Sequence, residues 1–379
     1  MTLEEIRAAL QTGGLVTIPA GDYWVDPAGL VAAAGTRIVC EPGAVLRMHP
    51  TSLGNYELLT LTDDCVLEGG VTVGDVASHL GTAGEWGHCV AVRGKRVQIF
   101  RHEAREAWGD GFNVSLGADD AQLIDCVADS NRRQGLSVTG AARVAVFGGR
   151  YINTGALGAI APTAGIDMEP NPNSFSVDDF TIEGVTVSGN AGPGLLLVRA
   201  AGTTCSGTVD NLTSHGNRTG ITATGTAGVL DVTVRNCTVT DSTAQGIICA
   251  APGMEVHGGK VLHSGDIGVY LLQPARMSGL RVAESGRSGV RLDADAGASD
   301  LAGLLVEGNG RAANDTYQEV HINGASNVRL RQVSAYPAAT GNRTRNGLYI
   351  SGPAARLVGC DSTAGTRGAS YTRTDTVVV

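Results

Sequence analysis

Two acidic residues, Asp167 and Glu169, stand two positions apart in the stretch GIDMEPN and could act as an acid and base pair. Residues i and i+2 of a β-strand point to the same side, with Cα atoms about 6.6–7 Å apart. This separation suits a general acid and a general base or nucleophile that flank a glycosidic bond. Asp110, in WGDGFNVS, is a third candidate carboxylate. The alternative is a solvated strand face or a structural ion network.

Polar and cationic residues accompany these carboxylates. The stretch NRRQG supplies Arg132, Arg133 and Gln134, and Asn113 follows Asp110. The forked guanidinium group suits recognition of a carboxylate, so these arginines could bind an acidic sugar or stabilise charge. The alternative is that they only neutralise neighbouring acidic side chains.

Two of the three tryptophans, Trp86 and Trp108, precede the same group of residues. Aromatic faces stack well on flat apolar surfaces, which includes sugar rings. We therefore predict that both tryptophans contact a bound glycan. The alternative is that they only pack at turns.

An internal repeat must position these residues. A glycine followed by an alternating strand recurs along the chain at steps of roughly 20–30 residues, which is typical of a solenoid. Examples are GFNVS, GLSVT, GIDME, GLLLV, GITAT, GIICA, GVYLL and GVRLD. A second strand falls within each period, and the turns between them are polar. The pattern predicts an all-β fold, a single-stranded right-handed parallel β-helix of about ten or more coils.

The alternation also predicts which side chains face the core. The first and third residues after each glycine are apolar, as in Phe112 and Val114. The second and fourth should point outward, and one outward column then contains Cys89, Asn113, Ser137 and Asp167. Polar function is thereby concentrated over roughly four consecutive coils.

The N-terminus predicts a cap for the solenoid. Thr2 and Glu5 form a capping-box pattern, and Leu3, Ile6 and Leu10 give a short amphipathic helix. We predict a capping helix over residues 1–14 and a β-helix over residues 15–379. This acidic, amphipathic start is not typical of a secretory signal.

Composition excludes several function classes. The formal net charge is -9 and the pI is about 5.4, which disfavours nucleic acid as a partner. No apolar run approaches the roughly 18 residues of a membrane span, so no membrane insertion is expected. The eight cysteines are scattered singly without zinc-ligand spacing. No cofactor or metal is predicted, with calcium as the alternative, for which the sequence DAD at 293–295 is a weak signal.

The run GEWGHCVAV, WGDGFNVS, DSNRRQGLSVTG and PTAGIDMEPN resembles the pectate-lyase-like β-helix proteins of bacteriophage tails, such as tail spikes. The resemblance covers about residues 12–175. It implies a right-handed β-helix, often a homotrimer, that binds or degrades host-surface polysaccharide. By motif match it places these residues in a groove: Trp108, Asp110, Arg132, Arg133, Asp167 and Glu169. From these motifs we expect neither a particle-binding nor a separate trimerisation domain of the tail-spike kind within residues 1–379.

Three functions follow as hypotheses. The first is a phage tail-associated protein, made in the host cytoplasm and carried on the virion tail, that binds and depolymerises a cell-surface polysaccharide. Other phage tail proteins would then be partners. The second is a free-standing, extracellular bacterial polysaccharide lyase or glycoside hydrolase; in a lyase an arginine could serve as the base and the carboxylates could bind calcium. The third is a non-catalytic structural or adhesion module.

Overall fold

The residues that the structure describes form a parallel β-solenoid of about 13 turns, with 47% of them in strands and one α-helix at the N-terminus. This confirms the predicted all-β, parallel β-helix fold. A computed structural model describes residues 1–338, 341–342, 344–351, 355–362, 370–371 and 377–378. They form two compact units: unit 1 is residues 1–207 with 227–229, and unit 2 is residues 208–226 with 230–379. The predicted division into a capping helix over residues 1–14 and a β-helix over residues 15–379 stays a prediction. Parts of the second segment, 15–379, lie outside the described residues.

The N-terminal helix, Leu3–Thr12, begins as the sequence predicts. The Thr2 side chain accepts a hydrogen bond from the Glu5 backbone N–H, and the Glu5 carboxylate accepts one from the Thr2 N–H. This reciprocal pair satisfies donors that the first helical turn leaves free. Ile6 and Leu10 are fully buried, so the apolar face of the helix packs on unit 1.

Three parallel sheets build unit 1, with one strand per coil except in the first sheet, where Ala141–Ala142 and Ala145–Phe147 both pair with the next strand. The first sheet contains Leu15–Ile18, Arg37–Cys40, Val66–Glu68, Gln98–Phe100, Gln122–Ile124, Ala141–Ala142, Ala145–Phe147 and Val177–Glu183. The second contains Gly21–Val25, Ala44–Met48, Val71–Val73, Glu103–Arg105, Val127–Asp129, Arg150–Ile152 and Thr186–Ser188. The third contains Leu30–Ala32, Asn55–Leu61, Trp86–Val92, Asp110–Val114, Gln134–Val138, Ile166–Met168 and Pro193–Val198. Two further strands, Thr204–Asp210 and Val229–Arg235, include residues of both units.

Unit 2 repeats the three-sheet plan. Its first-sheet strands are Met254–His257, Arg276–Ser278, Asp300–Ala302, Val328–Arg331, Ala355–Val358 and Val377–Val378. Its second-sheet strands are Thr213–His215, Thr238–Thr240, Lys260–Leu262, Arg281–Ala283, Leu305–Glu307, Ser334–Tyr336 and Asp361–Ser362. Its third-sheet strands are Thr219–Thr224, Ile247–Cys249, Val269–Leu271, Val290–Leu292, Gln318–Ile322, Asn346–Ile350 and Ser370–Tyr371. A 3-10 turn covers Ala294–Ala296.

The repeated glycine has a steric cause. A Cβ atom on Gly135 would lie 2.5 Å from the carbonyl oxygen of Gly165 in the next coil, and one on Gly246 would lie 2.6 Å from that of Gly268. No side chain fits at such a distance. Glycine therefore lets consecutive coils approach closely where each third-sheet strand begins.

The predicted core is confirmed. In the third sheet of unit 1, Phe112, Leu136 and Ile166 pair in register and are fully buried. Val269 and Val290 form the matching column of unit 2. Alternation thus places the inward residues correctly, because a strand's side chains point to opposite faces in turn.

Two expectations about the outward columns were wrong. Asn113 pairs with Ala91 and not with Cys89, since the register of Trp86–Val92 is shifted by two residues from the glycine alignment. Ser137 and Asp167, which were expected to face solvent, are fully buried.

Candidate functional site

A cleft of about 460 Å³ lies over the third sheet of unit 1. Polar and charged side chains dominate its lining, which also includes one tryptophan and two prolines. The lining residues are Asn55, Glu57, Glu85, Trp86, His88, Arg93, Asn113, Ser115, Leu116, Arg133, Thr139, Glu169, Pro170, Asn171 and Pro172. They come from five consecutive coils, so strand stacking alone brings them together.

Strand register sets the neighbours at one end of the cleft. Asn55 pairs with Trp86, and Glu57 pairs with His88 on the adjacent strand. The Trp86 residue is 52% exposed, which leaves its indole accessible to a ligand. Of the two tryptophans predicted to contact a glycan, Trp86 is the one that lines the cleft.

Arg133 contacts acidic side chains in several directions. Its Nη1 lies 3.2 Å from Asp110 Oδ1, its Nε 3.6 Å from Glu85 Oε2 and its Nη2 3.9 Å from Glu169 Oε2. The Arg133 side chain is only 13% exposed, whereas those of Glu85 and Glu169 are 33% and 40% exposed. Two accessible carboxylates therefore flank one guanidinium group that is largely buried.

Asp110 lies beneath the cleft and is fully buried. Its carboxylate accepts hydrogen bonds from Arg133 and from the amide of Asn113, at 3.1 Å from Asn113 Nδ2. Burial raises the pKa of Asp110, and the neighbouring Arg133 charge opposes that rise. The Asp110 backbone N–H donates to His88 Nδ1 at 3.3 Å. Burial lowers the pKa of His88 to about 3, so this imidazole is neutral at pH 7.

Asp167 is also fully buried, whereas Glu169 reaches the cleft. The Gln134 side-chain amide donates a hydrogen bond to Asp167 Oδ2. Burial, with the nearby Glu169 carboxylate, raises the pKa of Asp167 well above its usual range. Burial therefore disfavours the charged form of Asp167, which lies beside Glu169.

Arg93 and Glu57 form a second ion pair on the cleft wall. Arg93 donates to Glu57 Oε1 at 2.8 Å from Nε and lies 2.6 Å from it through Nη2. Its Nη1 donates to Asn113 Oδ1 and to Ser115 Oγ, both at 2.7 Å. The guanidinium thus cross-links three coils and holds Asn113 in a fixed orientation.

Trp108 lies outside the cleft. The His79 ring stacks on it with centroids 3.6 Å apart, and the Arg132 guanidinium lies 3.7 Å from its centroid. One face cannot hold both groups at these distances, so they cover opposite faces. Arg132 also donates to the backbone oxygens of Gly84 and Trp108. The adjacent arginines of NRRQG therefore have separate surroundings.

The structure thus divides the residues singled out from the sequence. Four of them line the cleft: Trp86, Asn113, Arg133 and Glu169. Three lie beneath it, fully buried: Asp110, Gln134 and Asp167. Arg132 and Trp108 stack on each other elsewhere. Their catalytic and substrate-binding roles stay predictions.

Among the titratable residues of the cleft, sequence reasoning missed four: Glu57, Glu85, His88 and Arg93. Glu85 and His88 lie within the run GEWGHCVAV and could have been found by stacking this run on the next coils. Glu57 and Arg93 carry no motif signal, because their partnership depends on pairing between Asn55–Leu61 and Trp86–Val92.

In the part of the chain that the structure describes, no group of three or more His, Cys, Asp or Glu side chains has an arrangement that could hold a metal ion. Across the same residues, no helix has the length and apolar character that crossing a membrane requires.

Comparison of the sequence with protein-family models and with curated proteins gives no match. Solved structures do resemble the chain. A double mutant of the periplasmic alginate epimerase AlgG has a TM-score of 0.56 at 14% identity, over 86% of each chain. The chain has the pectate-lyase-like β-helix fold.

Two further structures share this fold. The tailspike protein gp49 from Acinetobacter baumannii bacteriophage Fri1, a capsular polysaccharide depolymerase, has a TM-score of 0.52 at 14% identity, over 87% of this chain and 59% of its own. The catalytic domain of a GH87 α-1,3-glucanase in complex with nigerose has a TM-score of 0.53 at 12% identity, over 87% of this chain and 62% of its own. The chain therefore spans less than two thirds of either protein.

Proposed function

We propose that this protein binds a polysaccharide in the unit 1 cleft and depolymerises it. One observation carries the proposal: the accessible carboxylates of Glu85 and Glu169 flank Arg133 beside the exposed indole of Trp86. Paired carboxylates supply the acid and base of glycoside hydrolysis. The indole supplies a flat apolar surface for a sugar ring.

Glu85 and Glu169 are the proposed reacting pair. Groups that flank a single guanidinium lie within the roughly 5–10 Å over which glycosidase carboxylates cooperate. One carboxylic acid protonates the glycosidic oxygen as its bond to the anomeric carbon breaks. The other carboxylate takes a proton from water, whose oxygen bonds to that carbon.

Asp110 and Asp167 have positioning roles in this proposal. Both are fully buried, so neither touches a ligand in the cleft. Asp110 fixes the Arg133 guanidinium through hydrogen bonds of 3.2 and 3.3 Å. Asp167 accepts a hydrogen bond from the Gln134 amide and lies beside Glu169. This assignment differs from the sequence-based pair, in which Asp167 itself reacts.

The biological setting is part of the proposal. We propose a tail-associated role in a bacteriophage, with a cell-surface polysaccharide as the partner and a homotrimeric assembly. The fold shared with the gp49 tailspike, a capsular polysaccharide depolymerase, and the motifs that resemble tail proteins support this setting. Detection of the chain in purified virions, and a mass of three chains by light scattering, would support it further. A monomer released to the medium would favour the free-standing extracellular enzyme.

The test is product release from purified capsular polysaccharide, lipopolysaccharide O-chain, alginate and α-1,3-glucan. We expect Glu169→Gln and Glu85→Gln each to reduce turnover by at least about 100-fold, the usual contribution of acid or base catalysis. Asp167→Asn should lose far less, because Asp167 is fully buried and the amide keeps the shape of its carboxyl group. Loss of turnover in Asp167→Asn with retention in Glu85→Gln would instead establish the sequence-based pair.

Other outcomes separate the alternatives. Binding without turnover would identify an adhesion module. Products that absorb in the ultraviolet, with activity lost after chelation and restored by calcium, would identify a lyase. The proposed hydrolysis uses side chains alone and should be insensitive to chelation.

A further inference from the structure

The cleft contains more acidic than basic groups. Three carboxylates line it, those of Glu57, Glu85 and Glu169. Only two guanidinium groups, of Arg93 and Arg133, offset them among the described lining residues. A ligand in this cleft therefore meets lining side chains whose charges sum to a net negative value.

The Arg93 guanidinium is already committed. Its Nε and Nη2 contact Glu57, and its Nη1 bonds Asn113 and Ser115 at 2.7 Å each. Its side chain is 17% exposed. A ligand carboxylate could bind Arg93 only by displacing Glu57. The cleft would then contain one more negative charge than before.

Arg133 is also surrounded by carboxylates, although its Nε and Nη2 lie 3.6 and 3.9 Å from Glu85 and Glu169, beyond hydrogen-bond distance. Its Nη1 donates to both oxygens of Asp110, and its two other nitrogens face Glu85 and Glu169. If Asp110 is ionised, three carboxylates surround one cation. If Asp110 is protonated, two still do, so the acidic excess holds in either state.

The remaining neighbours do not reverse this balance. His88 is neutral at pH 7, because burial lowers its pKa to about 3. Arg132, the other cation of NRRQG, lies against Trp108 and donates to the oxygen of Gly84. It is not among the lining residues.

We propose that the sugar unit held at Arg133 is uncharged, a neutral or N-acetylated hexose and not a uronic acid. This inference rests on the proposed function of the cleft. It revises the expectation that Arg132 and Arg133 hold an anionic group. Carboxylates with free oxygens accept hydrogen bonds from sugar hydroxyls, whereas a uronate would meet like charge. Arg133 then orients the carboxylates and does not bind the ligand's own charge.

Binding of matched probes tests this inference. Alginate oligosaccharides are compared with the same oligosaccharides after chemical reduction of their carboxyl groups, and α-1,3-gluco-oligosaccharides serve as a further neutral probe. Trp86 fluorescence in a Trp24→Phe background reports cleft occupancy, since Trp24 is the other exposed tryptophan. Calorimetry checks each affinity independently.

We expect a neutral probe to bind at least about tenfold more tightly than the acidic oligosaccharides at roughly 10 mM salt, with a smaller preference at about 0.5 M salt. Glu85→Gln should raise affinity for the acidic form relative to the reduced form. A Glu183→Gln variant, changed at an exposed carboxylate outside the cleft lining, should not.

Three outcomes are distinct. Tighter binding of the acidic oligosaccharides, weakened by salt, would overturn the inference and leave the depolymerase proposal standing. A neutral preference without turnover of any polymer would support the inference and overturn the proposed cleavage. If no probe changes the Trp86 fluorescence or gives a heat of binding, both the inference and the depolymerase proposal are overturned.

Discussion

Replacing Glu319 with glutamine should remove a pH dependence of stability between pH 4.5 and about 7. Glu319 lies in the strand Gln318–Ile322, at the position where neighbouring coils carry the repeated glycine. Val320 pairs with Val290, so Glu319 takes the place of Gly289. A Cβ on Gly289 would meet the side-chain amide of Asn309 at 2.6 Å, and the Glu319 carboxylate bonds that same residue.

The magnitude follows from the burial of this carboxyl group. Glu319 is fully buried, and burial raises its pKa from 4.5 to about 7, although Asn309 and Thr344 donate to it. Because the folded-state pKa is raised, the folded protein binds the proton more tightly than the unfolded chain. The stabilisation is complete below pH 4.5 and is lost as the pH rises to about 7. At 1.36 kcal/mol per unit, the change is about 3 kcal/mol.

The assay is the free energy of unfolding from denaturant titrations at several pH values. Circular dichroism is the appropriate signal, since Trp24, Trp86 and Trp108 all belong to unit 1 and Glu319 to unit 2. The wild type should lose about 1.4 kcal/mol per pH unit relative to Glu319→Gln across the window. A constant offset between the two proteins is expected in addition, because the amide exchanges one acceptor for a donor.

Glu183→Gln at an exposed position is the matched control and should run parallel to the wild type. Parallel curves for the wild type and Glu319→Gln would contradict the prediction. They would mean that the donors from Asn309 and Thr344 compensate the burial of the charge in full.

Three further predictions concern unit 1 and the glycine column. Trp108→Ala should lower the free energy of unfolding by about 3–5 kcal/mol, because a buried aromatic ring is lost. Trp86→Ala should change it by under about 0.5 kcal/mol but weaken glycan binding. Denaturation measures the stability of both variants, and calorimetry measures the binding. Arg133→Met should lower the free energy of unfolding by about 3 kcal/mol near pH 7, because it leaves the buried Asp110 unpaired. Denaturation at lower pH should show a smaller loss of stability, since Asp110 then protonates. An equal loss at all pH values would contradict this prediction. Gly246→Ala should lower stability by about 1–3 kcal/mol through overpacking against the next coil, and an unchanged melting transition would argue against the close approach.

The repeat, the inward columns and the N-terminal helix with its capping box could all be predicted from the sequence. These features depend on local rules: the period-two alternation of a strand, the close approach at glycine and the reciprocal hydrogen bonds of Thr2 and Glu5. Each can be read within one period of the chain. The same rules located the coils from Trp86 to Glu169 as the polar region of the solenoid.

The accessibility of these polar residues, in contrast, depends on the tertiary structure. Alternation gives the side of the strand that Asp167 occupies, but its burial depends on neighbouring side chains such as Gln134, which bonds it from the adjacent coil. Arg132 and Gly84 are 48 positions apart in sequence, yet they share a hydrogen bond that helps to hold Trp108 away from the cleft. The roles of Glu57 and Glu85 likewise depend on pairing between coils. Solvent access is a property of surfaces assembled from distant segments, and a local pattern does not encode it.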